Sequence, residues 1–315
     1  MTISEDRILD VRSQLDAIKS ADDRYINVFI EQHYDISPQS ARRYIRLAKA
    51  YGEPEPKTPK ILIIDIETAP CVGYFWRPGY KVNIPPENII EDVYIICYAA
   101  KWLFSDGVFG DCVTPSESLV QNDKRVCTSL WNTMEEADII IAHNGDKFDI
   151  PIINSRLIVN GFGPPSPYTT IDTLKQSWKN FKFSSNKLDE LNKLFGLDRK
   201  IETKFDLWKG CKNGDKESLD FMYHYCKGNI VALEGLYLYL RPWMTSHPNL
   251  ALYCDIEGEI CPHCMSKELD WEIKPYVTPA GKYKAFRCKC GAIGRSRFTA
   301  LTKDERMNLT ISTAR

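Results

Sequence analysis

The sequence predicts an α/β protein built on a mixed sheet flanked by helices, with a small helical module ahead of it and a short cysteine-bearing piece behind it. Three observations carry that reading. Strand-sized apolar runs, ILII (61–64) and the DIIIA stretch (138–142) among them, come first and then alternate with helical patterns. Residues 1 to 50 read as helix throughout and give way to the polar, proline-rich EPEPKTPK. Four cysteines arrive in two close pairs toward the C-terminus.

At 315 residues the chain can bury a substantial core, and its net charge of −1 argues neither for nor against a nucleic-acid partner. No apolar run is long enough to span a bilayer, so no membrane partner is expected. The opening MTISEDRILDVRSQL is charged at once and has no apolar signal core, which predicts a cytoplasmic protein. In that setting the eleven cysteines read as reduced thiols, most of them buried singly, as Cys97 in YIICYAA.

Residues 1–52 should hold three helices, the last opening at Ser37 as N-cap with Pro38 in the first helical position and stopping at Gly52. With the short connector YDIS before it and Arg42, Arg43, Arg46 and Lys49 upon it, this third helix makes the module resemble a helix-turn-helix whose third helix would lie against DNA. The same arginines also suit the solvated face of a small helical cap. Residues 53–60 are the linker. Strands are expected within ILIIDIETAP (61–70) and at 94–104, 106–113 and 137–145, with helices at 117–134, 149–161, 187–195 and 217–241.

Within ILIIDIETAP, Asp65 and Glu67 stand two apart on a strand, so both project to one face. Two carboxylates bracketed by apolar residues repel unless a cation lies between them, and magnesium or manganese takes oxygen ligands of this kind. In IAHNGDKFDIPII, Asn144 and Gly145 mark a turn, and Asp149 opens a helix either as a cap or as a third acid. In YHYCKGNIVALEGLY, Tyr225 and Asn229 share one helical face. Asp172, at another expected strand end, is a weaker candidate. Trp178, Phe181 and Phe183, interleaved with Lys179, Lys182 and Lys187, suit either base stacking with phosphate neutralisation or plain core packing.

DIET, HNGDKFD and YCKGN, in this order, resemble the motifs of the DEDD 3′-to-5′ exonucleases of the tyrosine subclass, over about residues 61–245. The resemblance implies an RNase H-like fold and a two-metal phosphodiester hydrolysis, with two Mg2+ or Mn2+ ions about 4 Å apart. Asp65 would bridge both ions, Glu67 would hold the one on the nucleophile side, Asp149 would support the second, and Tyr225 would orient the attacking water. Asn144 and Lys182 would contact the nucleic acid. The match departs at Asn229, which stands where the family has an aspartate. An amide of nearly the same size carries no charge and donates where a metal needs an acceptor. Such a site is inactivated or weakened, either by natural decay or by a deliberate Asp-to-Asn replacement; an isolated isosteric change favours the latter.

CPHC (261–264) and CKCG (288–291) offer Cys261, Cys264, Cys288 and Cys290, four thiolates on two tight turns, as structural zinc requires. Residues 250–315 then resemble a zinc ribbon, although the CxC of the second knuckle departs from the commoner CxxC. His263 is a less suitable ligand because it sits inside the first knuckle. From Ala280 onward nine Lys or Arg face two acids, the charge balance of a phosphate-binding tail. Together these features predict an exonuclease gripping single- or double-stranded DNA at both ends, of a kind suited to a phage or bacterial cell. Any proofreading role would need a replication or recombination partner. The alternatives are a nuclease-fold binding protein without catalysis and a ribonuclease or structure-specific nuclease.

Overall fold

The computed structural model describes residues 5–17, 23–50, 58–77, 84–197, 203–256 and 258–310. The chain divides into two compact units, Met1–Lys57 and Thr58–Arg315. In the first, α1 (Glu5–Ala17), α2 (Asp23–Tyr34) and α3 (Pro38–Ala50) close around Val11, Ile30, Ala41, Ile45 and Ala48. Ser37 caps α3 as expected, its hydroxyl accepting the Ser40 N–H at 3.3 Å. The other end of α3 is capped by Arg12, whose guanidinium donates to the Ala48 carbonyl. Arg42 and Arg43 are exposed, while the Arg46 and Lys49 side chains and Gly52 lie outside the described residues.

The second unit is built on a five-stranded sheet. Its strands are β1 (Ile61–Thr68), β4 (Ile95–Trp102), β5 (Phe109–Cys112), β6 (Ile139–Ala142) and β7 (Thr169–Asp172); β2 (Val72–Gly73) and β3 (Ile89–Glu91) form a separate small hairpin. The order is β5-β4-β1-β6-β7, with β1 antiparallel to β4 and parallel to β6. Ile61, Leu62, Ile63 and Ile64 are buried, as a strand covered on both faces requires.

Helices cover the two faces: α4 (Pro115–Leu119), α5 (Lys124–Glu135), α6 (Asp149–Val159), α7 (Thr173–Asn180), α8 (Leu188–Phe195), α9 (Asp206–Lys212) and α10 (Lys216–Leu240). Neighbours on β4 show the layering. The Cys97 thiol faces Cys226 of α10, whereas the Tyr98 hydroxyl bonds Ser129 of α5 at 2.7 Å. This is a mixed α/β sheet flanked by helices, RNase H-like in fold.

One expected helix, 117–134, is two. Gln121 takes a left-handed φ of 55°, and the chain turns inward so that Asp123 is fully buried. There its carboxylate accepts the Ile95 N–H at 3.0 Å, two bonds from Arg156 and one from Asn160. Those bonds, with the Arg156 charge, hold the carboxyl below its usual range although burial pushes the other way. Helices α7 and α9 and the β2–β3 hairpin were not legible in the sequence pattern, being at most eight residues long.

The C-terminal piece adds β8 (Leu269–Asp270), β9 (Tyr276–Thr278), β10 (Gly281–Cys288), β11 (Ile293–Thr299) and α11 (Lys303–Met307). It belongs to the same compact unit as the sheet. Leu250 donates its N–H to the Pro262 carbonyl at 2.8 Å, and His263 donates through Nδ1 to the carbonyl of Arg241, just past α10. Along β10, Lys282, Lys284 and Arg287 are exposed, as is Lys289 just past it, so the basic bias of the tail lies on the outer surface of the ribbon.

Candidate active site

Asp65 and Glu67 share the face of β1 that α10 covers. A β-bulge at Glu67/Thr68 ends the regular pairing with β4 beside them, as bulges do where a strand must re-aim side chains. From α10, the Asn229 amide nitrogen donates to Asp65 Oδ2 at 2.9 Å and reaches Glu67 Oε1 at 3.5 Å. Its Oδ1 is buried without a hydrogen-bond partner. One turn earlier, Tyr225 is buried with its ring edge-on to Trp208 at 6.2 Å. Between them Cys226 packs against Asp65; burial, with the nearby Asp65 and Glu67 charges, pushes its thiol up to about 12.

Asp149 comes to the same place from the other side of the sheet order. Gly145 permits the approach, because a Cβ there would lie 2.3 Å from the Ala142 Cβ. Asp149 does not cap its own helix: Phe148 is the N-cap residue, and Asp149 Oδ1 instead accepts the Ile66 N–H at 3.2 Å. Its carboxyl is pushed well above the ordinary range, by burial first and then by the Asp65 charge. Asn229 thus contacts Asp65 and Glu67, Asp149 reaches the same strand through the Ile66 N–H, and Tyr225 stands one helical turn before Asn229.

The chemistry of this donor set suits a hard divalent cation: carboxylate oxygen donors from two elements and an orphaned amide oxygen. Asn229 works against it by setting an N–H between the two carboxylates of β1. Among the described residues, the four cysteines are the one group that brings three or more His, Cys, Asp or Glu ligand atoms within 4.8 Å of one another.

Asp172 has a different task. Buried at the end of β7, it accepts the backbone N–H groups of Asn144, Leu174 and Lys175 and so shapes the turn before Asp149. Asn144 sits in that turn at φ 67° and lines a cavity of about 480 Å3 with His143, Trp178 and Lys187. Trp178 is exposed, whereas Phe181 and Phe183 stack on each other at 4.9 Å, and Phe183 packs against Phe195. Core packing therefore accounts for those two phenylalanines. Lys182, between them, is exposed. The sequence reading missed Tyr74, Phe75 and Trp76, three consecutive exposed aromatics shortly after β1, which their clustering alone could have flagged.

The Cys261 and Cys290 sulfurs lie 3.8 Å apart and those of Cys264 and Cys288 3.5 Å apart. Zn–S bonds of about 2.3 Å in a tetrahedron place sulfurs roughly 3.8 Å apart, so the residues fit zinc. His263 is no ligand here, since Nδ1 is spent on the Arg241 carbonyl and its ring stacks on His247 at 4.6 Å. Gly291 supplies the left-handed turn of the second knuckle at φ 88°.

Residues 108–241 match a family model described as the RNase_H superfamily, RNase_H_2. Among solved structures, the family B DNA polymerase from the hyperthermophilic archaeon Pyrobaculum calidifontis aligns at 17% identity with a TM-score of 0.42. That alignment covers 60% of this chain and 25% of the polymerase, so the chain spans about a quarter of its length. No curated protein matches the chain.

Proposed function

We propose that this RNase H-like chain is a divalent-cation-dependent 3′-to-5′ exonuclease acting on DNA, weakened by the amide at Asn229. The observation that carries the reading is that Asp65 and Glu67 end one strand while Asp149, at the start of α6, accepts the Ile66 N–H between them, its carboxyl pushed up by burial first and then by the Asp65 charge. A buried carboxyl beside a second one is a group whose charged form a bound cation would favour. Asp65, Glu67 and Asp149 would hold the metal ions. When bound, such ions polarise the phosphate, lower the pKa of water and stabilise the departing 3′ oxygen.

The remaining residues hold and orient. Tyr225, one helical turn before Asn229 and packed edge-on against Trp208, would orient the attacking water. Asn144 and Trp178 line a cavity that would receive the strand, with the exposed Lys182 steering its phosphates; the exposed Arg42 and Arg43 of the first unit offer a separate nucleic-acid grip. Zinc in the four-cysteine site folds the ribbon.

A second reading, a nucleic-acid-binding protein without catalysis, is favoured by the Asn229 Nδ2 bonds. They satisfy Asp65 and approach Glu67 without any cation. End-labelled single- and double-stranded DNA and RNA, incubated with Mg2+ or Mn2+, separate the two. The exonuclease reading requires that Asn229→Asp shorten the 3′ end on the order of 100-fold faster than the parent, the equivalent of about 3 kcal/mol of transition-state charge stabilisation. If neither chain cuts any substrate, the binding-protein reading stands in its place.

A further inference from the structure

The end of β1 remote from Asp65 and Glu67 opens onto a cavity of about 350 Å3 that the proposed hydrolysis does not use. Its walls are chiefly apolar, with Trp102, Leu103, Leu250 and Met265 among them. Such a volume lies within the range of small-molecule sites. Two features set it apart from a packing defect.

The first is Arg241, which lines the cavity and is only 9% exposed. Its Nε is buried without a hydrogen-bond partner. The guanidinium lies over the Tyr237 ring at 5.8 Å, but among the described residues no carboxylate pairs with it. A ring face attracts a cation without neutralising it, and a buried unpaired charge is costly to keep. Lys60, at the same cavity, is already matched by Glu136 at 2.7 Å. The unmet positive charge is therefore that of Arg241, whose planar fork suits phosphate or carboxylate.

The second is Phe104. It holds φ at 68°, a conformation bulky residues rarely adopt, and the residue is 66% exposed at the cavity. Glu234 of α10 keeps it there, accepting the Phe104 N–H at 3.0 Å through Oε1 while Oε2 pairs with Lys101. An exposed aromatic in a strained backbone, braced by a partly buried ion pair, is a feature folding alone does not call for.

We infer that this cavity binds a nucleoside monophosphate, its base against Trp102 and Phe104 and its phosphate on Arg241. The aromatic anion follows from the walls and the guanidinium. The choice of a nucleotide, the product of 3′ trimming, rests on the exonuclease reading above.

The test is calorimetric titration of the full chain, zinc retained and no other divalent metal added, with deoxyadenosine monophosphate, deoxyadenosine and inorganic phosphate in separate arms. The monophosphate should saturate one site, and the nucleoside or phosphate alone should bind at least tenfold more weakly. Arg241→Met should weaken the monophosphate at least tenfold yet melt no lower than the parent without ligand. Phe104→Gly, which removes the ring and relaxes the backbone, should also lose binding while melting higher. Asp65→Ala should bind as the parent does. Binding that survives Arg241→Met and vanishes in Asp65→Ala would place the nucleotide at the acid cluster and overturn the proposal, as would no saturable binding at all. A chain that trims no strand but binds through Arg241 sinks the exonuclease reading alone; one that trims but does not bind sinks the cavity alone.

Discussion

Asn229 and Asp65, 164 residues apart in sequence, are joined by a 2.9 Å hydrogen bond from the amide of a helix to the carboxylate of a strand. The bond gives one oxygen of Asp65 an amide donor on the face it shares with Glu67, where the same amide reaches Glu67 at 3.5 Å. A single amide thus stands in for a positive charge.

Asn229→Asp should therefore be less stable than the parent without divalent metal, by about 1–3 kcal/mol, because it trades a donor for another buried carboxylate. Mg2+ or Mn2+ should restore that loss, with the melting temperature climbing as metal is added. The parent should respond weakly. Equal metal responses in the two chains would show that Asn229 does not govern the site.

Asp123→Ala is expected to cost about 3–5 kcal/mol, since it strands the half-buried Arg156 and leaves the Ile95 N–H without its partner. Urea unfolding measures this. A loss under 1 kcal/mol would mean that Arg156 finds water or another acid.

Removal of zinc by a strong chelator should release the ribbon and leave the sheet folded. The ribbon buries only Cys261, Phe286, Cys288 and Ala292 as its own cluster, too little to hold it alone. Amide exchange should accelerate across β10 and β11 but not across β1 and β4. Metal analysis of the untreated chain should find about one zinc per chain, and none in Cys288→Ser.

The joint between α10 and the ribbon should be acid-sensitive. Burial first, and then the neighbouring His263, lower the His247 pKa from 6.5 to about 4. Its Nε2 accepts the Tyr237 hydroxyl and its Nδ1–H donates to the Pro248 carbonyl, which fixes the neutral ring. With the folded pKa below the unfolded one, the unfolded chain takes up the proton first as pH falls. His247 thus contributes stability above pH 6.5 that is lost between 6.5 and about 4, to a limit of about 3 kcal/mol. Stability measured against pH should lose that part of its slope in His247→Asn. An unchanged slope would refute the assignment.

Much of this was readable in the linear chain because it is local. Alternation along β1 puts Asp65 and Glu67 on one face; helical spacing stacks Tyr225 beneath Asn229; four thiols on two short turns announce a metal. Ser37 and Pro38 mark where α3 begins for equally local reasons.

What lay beyond the sequence depends on partners distant along the chain. Asp123 breaks a helix that its neighbours would have continued, because a carboxylate can be buried only where Arg156 and Asn160 wait for it. Asp149 looks like a helix cap until the Ile66 N–H claims it, and Asp172 looks like a ligand until backbone N–H groups of the turn and α7 do. Phe183 could have met a base but met Phe195. Arg241 is one more cationic residue in the sequence; only burial beside Trp102 and Phe104 makes its charge conspicuous. Periodicity determines which face a side chain takes, whereas the free energy of a buried charge is decided by whatever the tertiary fold brings within reach of it.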